Sequence, residues 1–154
     1  MNHALLLAVG IGIVAGLRSL TAPAFVSWAA YLHWITLTGT PLAFMGSPIA
    51  AGIFTLLAIV ELVADVMPKT PPRTAPPGLI ARIITGGLSG ACIYAATAAT
   101  PLMGAILGIV GALIGTYAGY HIRRALDNSL HVKDILIAIP EDIVAFALAY
   151  CIVR

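Results

Sequence analysis

Residues 48–73 read PIAAGIFTLLAIVELVADVMPKTPPR. Ser47 and Pro48 supply a cap and a first-turn proline, and the apolar run that follows predicts a helix of about five turns. It ends where five prolines fall between Pro68 and Pro77, a density that forbids helix and favours a stiff extended path carrying Lys69 and Arg73. An apolar helix entering a basic turn reads as a membrane span, which needs about 20 such residues at 1.5 Å each.

Composition makes the same assignment for the whole chain. Of 154 residues 60% are hydrophobic and 9% charged, against about 25% charged in a soluble domain. Eight Lys and Arg with six Asp and Glu cannot cover a water-soluble surface, so the outer face must meet lipid. The net charge of +2 is small and lies in loops, and no aromatic side chains interleave with the cations, which excludes nucleic acid as a partner. Cys92 and Cys151 sit in apolar runs with no ligand spacing around them, so no disulfide framework, metal site or cofactor is expected. The expected organisation is one transmembrane domain over residues 1–154.

Working outward from 48–73, the run from Ala4 to Leu17 has no Lys or Arg before it and is read as a first membrane helix rather than a signal peptide, with Arg18 near the membrane edge. Thr21 and Pro23 open AFVSWAAYLHWITL, whose mid-segment aromatic residues fit either a short span or a re-entrant or interfacial helix. Leu79 to about Ala98 forms another span, and Leu102 to about His121 a further one. The last runs from Ile135 to Val153 and contains Pro140, Glu141 and Asp142. The fold class is thus an all-α, polytopic membrane helical bundle of five to six segments. Six segments would gather Arg18 on the side of Lys69, Arg73, Arg123 and Arg124, the cytoplasmic side by the bias of basic loops. AGLR at 15–18 and AGYH at 118–121, with AIVE at 58–61 and AIPE at 138–141, hint at a weak internal repeat.

Small residues recur at helical spacing along these segments. Gly12 and Gly16 stripe the first helix, Gly86 and Gly90 the fourth segment, and Gly104, Gly108, Gly111, Gly115 and Gly119 the fifth. Lipid gives helices no hydrophobic drive to pack, so such stripes point to close backbone contact and make a homo-oligomer reasonable.

The polar groups are in costly places. Glu61 lies roughly 9 Å short of the cytoplasmic end of its helix by the helical rise, and a charge near a span's centre costs about 2.5–3.5 kcal/mol. It needs a partner: either Arg18, Arg82 or a backbone group holding it for packing, or a bound proton, cation or lipid headgroup. Asp65 follows on the same face and could pair with Lys69. Glu141, about 10 Å along its segment, lies at a similar depth, and Pro140 ahead of two acids reads either as a new helix start or as a kink. No arrangement of Ser, His and Asp suggests nucleophilic chemistry, and no enzyme is expected.

GLRSLTAPAF at 16–25, ELVADVMPKTPPRT at 61–74, GLIARIITGGLSGA at 78–91 and PEDIVA at 140–145 together resemble a bacterial membrane protein family catalogued as a domain of unknown function, number 4126. The matching positions are Gly16, Leu17, Arg18, Glu61, Asp65, Lys69, Glu141 and Asp142. The resemblance implies a multi-pass protein of the bacterial inner (plasma) membrane, among membrane lipids, and implies no activity. From the residues, the leading expectation is a small transporter or channel-like protein for a proton, cation or small polar solute, with Glu61, Asp65, Glu141 and Asp142 as a cytoplasm-facing site balanced by Arg18. The alternative is a non-transporting lipid-binding or scaffold protein whose buried charges lock helix packing.

Overall fold

The computed structural model describes residues 2–65, 74–98, 100–130 and 134–154. Among them the chain is all helical: α1 (Asn2–Leu17), α2 (Thr21–Tyr31), a single 3₁₀ turn (Ala43–Gly46), α3 (Pro48–Asp65), α4 (Pro76–Ala98), α5 (Pro101–Leu130) and α6 (Asp134–Val153). Prolines open α3, α4 and α5, where a missing N–H costs nothing. At α3 the Ser47 hydroxyl also accepts the Ala50 N–H at 3.1 Å, completing the expected cap. Three of these helices, α3, α4 and α5, are long and apolar enough to cross a membrane, and α1 is a shorter apolar helix.

The glycine stripes build the centre. A Cβ on Gly12 would fall on the Gly108 carbonyl, one on Gly111 on the Val9 carbonyl and one on Gly115 on the Ile13 carbonyl, so α1 and α5 lie backbone to backbone. Gly86 and Gly90 bring α4 equally close to Gly108 and Gly104. Gly119, one turn beyond Gly115, is buried as well. The pairings rise together along α1 and α5 and run opposed between α4 and α5, fixing α1 and α5 as parallel and α4 as antiparallel to both. Because the stripes are used inside one chain, they lend no support to the homo-oligomer expected from them.

Around this centre α3 packs on α2, and α6 packs on α1 and α2. Trp28 Nε1 donates to the Thr55 hydroxyl at 2.8 Å and Leu20 N donates to Glu61, so α3 is antiparallel to α2. Phe25 meets Phe146 and Trp34 meets Tyr150, so α6 runs with α2. Ile49, Ile53, Leu56 and Val60 stay exposed on the outer face of α3, the side that lipid would cover.

Successive helices alternate in direction, which brings Arg18 to the end of the bundle where α3 finishes, α4 starts and Arg123 and Arg124 of α5 stand. Lys69, Arg73, Pro68 and a possible Asp65–Lys69 pair lie outside the described residues. α2 has only 11 residues, about 16 Å at 1.5 Å each, so it does not span the roughly 30 Å hydrocarbon core. It stops where a Schellman motif closes it: His33 N donates to Ala30 O at 3.2 Å and Trp34 N to Ala29 O at 2.8 Å, with His33 itself at φ 59°. The apolar residues up to Leu37 belong to the connection instead.

Pro140 lies inside a continuous α6, so the helix break considered there is absent. The repeat signal finds no symmetry to support it. α1 and α5 are parallel while α3 and α6 are antiparallel, and no single operation maps both pairs.

Candidate functional site

α1 ends at Leu17 and α2 starts at Thr21, leaving Arg18, Ser19 and Leu20 as a tight reversal between two helix ends. The reversal lies below the bundle's rim. Arg82, which touches it, is six residues into α4, and Asp142 is eight residues into α6, roughly 9 and 12 Å from those helix starts by the helical rise. Helix ends leave main-chain groups without intrahelical partners, and at this depth each needs one from elsewhere in the protein.

Glu61 supplies the N-terminal partners. Its carboxylate accepts the Ser19 N–H at 2.8 Å, the Leu20 N–H at 2.8 Å and the Ser19 hydroxyl at 2.6 Å. Leu20, at the cap position of α2, has no side chain to do this. A carboxylate from α3 therefore caps α2, where the helix dipole also favours negative charge. On the other side of the reversal, the Gly16 carbonyl accepts Arg82 Nε at 3.1 Å and the Thr116 hydroxyl at 3.3 Å, tying α1 to α4 and α5.

Arg18 is almost fully buried, at 1% exposure. Its Nη1 donates to Asp65 at the end of α3, and its Nε donates to Asp142 on α6. Nη2 lies within ion-pair reach of Asp142 but off the hydrogen-bond direction. One guanidinium thus joins α1, α3 and α6. The planar donor fork of arginine suits two carboxylates approaching from different helices, a geometry a lysine could not match.

Arg18, expected near the membrane edge, is covered by the surrounding helix ends. Glu61 is held by backbone groups, one of the three partners considered for it. The expected set of acids is partly assembled: Asp65 and Asp142 meet Arg18, Glu61 meets the main chain, and Glu141 stands beside Asp142, half buried. Ser19, Arg82 as partner of Gly16, and Thr116 were missed. Their signal was weak, since a main-chain partner 66 or 100 residues away leaves no local pattern.

A second feature adjoins the junction. Between α2, α3 and α6 lies an apolar groove of about 360 Å³, lined by Thr21, Phe25, Trp28, Ile59, Phe146 and Tyr150 among others. Thr21 is a polar point in it: the side chain is buried and Oγ1 has no hydrogen-bond partner among the described residues.

No curated protein and no solved structure matches the chain. The family model for a domain of unknown function, DUF4126, matches residues 5–154, and the chain belongs to that family.

Proposed function

We propose that this is a non-transporting, lipid-binding protein of the bacterial inner membrane, in which intramembrane charges lock the helices and an apolar groove takes up lipid. The observation that carries the reading is the engagement of the acids: Asp65 and Asp142 close on Arg18, and Glu61 closes on the main chain at the start of α2. Removing any one of them strands a buried partner. A lock of this kind sets helix positions, and the groove between α2, α3 and α6 follows from those positions. The Lys69, Arg73, Arg123 and Arg124 end faces the cytoplasm in this reading, by the bias of basic loops.

One observation favours the transport alternative. Glu61, Asp65 and Asp142 converge from two helices on the Arg18–Leu20 reversal, a grouping of intramembrane carboxylates of the kind that holds a proton or cation. Proteoliposome assays separate the two. The lipid-binding reading expects no proton or cation flux above empty vesicles, with Glu61→Gln and Asp142→Asn lowering thermal stability only. Flux that these substitutions abolish while the protein stays folded would overturn it.

A further inference from the structure

The groove has two chemically different ends. At the deep end Thr21 adjoins the Arg18 junction; at the other, Trp34 and Tyr150 form an edge-to-face pair with centroids 6.0 Å apart. Tyr150 brings a charge to that mouth, for Arg154 donates to its hydroxyl and holds its guanidinium 5.5 Å from the ring centroid. Arg154 is exposed. The chain has six Asp and Glu residues, and by helix position none falls at this end: Glu61 and Asp65 stand late in α3, Asp127 late in α5, and Asp134, Glu141 and Asp142 in the first half of α6. The Arg154 end therefore carries the Arg154 guanidinium with no side-chain carboxylate to balance it.

We infer that the groove is a site for an anionic phospholipid of the leaflet at the Arg154 end, its headgroup phosphate on Arg154 and one acyl chain lying along α2 toward Thr21. This rests on the lipid-binding reading and adds the class of lipid. Charge complementarity selects the headgroup: arginine offers a phosphate a fork of donors, and Trp34 and Tyr150 have the amphipathic character of residues at the lipid–water boundary. Length suits the chain. The groove follows α2 from Thr21 to Leu32, about 16 Å at the helical rise, within reach of an ordinary acyl chain. Thr21 Oγ1 at the deep end offers a hydroxyl to an oxygen or double bond carried far along that chain.

The chain's two tryptophans, Trp28 and Trp34, both line the groove, so their fluorescence reports its occupant. The protein is placed in nanodiscs of phosphatidylcholine containing a minor fraction of dibrominated phosphatidylglycerol, and separately of dibrominated phosphatidylcholine at the same fraction. Quenching by the anionic lipid should exceed that by the neutral one about fivefold in apparent affinity. Arg154→Gln should remove the difference, and Ala58→Phe, which fills the groove and leaves Arg154 in place, should reduce quenching by both lipids to the level given by bulk lipid. Equal quenching by the two lipids, with loss in Ala58→Phe, would overturn the anionic preference while leaving lipid in the groove. Bulk-level quenching by both lipids in the unsubstituted protein would overturn the groove as a lipid site. If a disulfide dimer also formed through Ile59→Cys in a background without Cys92 and Cys151, the occupant would be a second copy.

Discussion

Glu61 on α3 accepts the main-chain N–H of Leu20 at 2.8 Å, and so caps a helix that has no cap of its own. The carboxylate is thereby a structural part of α2. Glu61→Gln keeps one acceptor oxygen and loses the charge, and Glu61→Ala loses both. The expected costs are about 1–2 kcal/mol for the first and up to about 3 kcal/mol for the second, from the worth of caps and charged hydrogen bonds. Thermal unfolding in detergent measures the totals. Hydrogen exchange locates them, with faster exchange expected at Ser19 and Leu20 before other α2 amides.

Arg18 should tolerate removal worst alone and best in company. Arg18→Met leaves Asp65 and Asp142 facing each other without their cation, at a cost of about 3–5 kcal/mol. Arg18→Met with Asp65→Leu and Asp142→Leu removes the partners too and should recover most of that loss. Comparing unfolding midpoints of the single and triple variants checks this.

Close helix contact at the centre makes Gly108 intolerant of any side chain. A Cβ there would fall on the Gly86 carbonyl oxygen, a main-chain atom that cannot move independently of α4. Gly108→Ala should cost several kcal/mol, at or above the about 1–3 kcal/mol usual for overpacking. Gly52, on α3, has nothing within 4 Å of the same added atom. Gly52→Ala should be neutral or stabilising by up to about 1 kcal/mol through helix propensity. Both are read from the yield of folded protein and its unfolding temperature.

His33 holds a left-handed backbone conformation, φ 59°, at the end of α2. Side chains other than glycine pay roughly 1 kcal/mol there. His33→Gly should stabilise the protein by about 0.5–1 kcal/mol, visible as a raised unfolding temperature with no change in helix content by circular dichroism.

Membrane class, and a helix count of five to six, were legible because composition and run length govern them directly. The glycine stripes were legible because close approach between helices in lipid needs small residues, and each stripe in the sequence does meet a backbone. The end of α2 was not, since apolar residues continue to Leu37 and His33 stands where a glycine would have signalled the stop. Nor was the division of labour among the acids. Asp65 shares a helix face with Glu61 and was found with it, but Glu141 and Asp142 are adjacent and about 100° apart around α6, and only the packed orientation of that helix decides which one meets Arg18. The groove is invisible in sequence, for it arises where a half-length α2 meets two longer helices.

The most direct measurement is proton and cation flux in proteoliposomes, for the unsubstituted protein and for the Arg18→Met, Asp65→Leu, Asp142→Leu variant. If the charges are locks, the first shows no flux above empty vesicles, and the second folds and still shows brominated-lipid quenching above the bulk level. Flux in the unsubstituted protein that vanishes in a folded triple variant would contradict the structural role assigned to Arg18, Asp65 and Asp142.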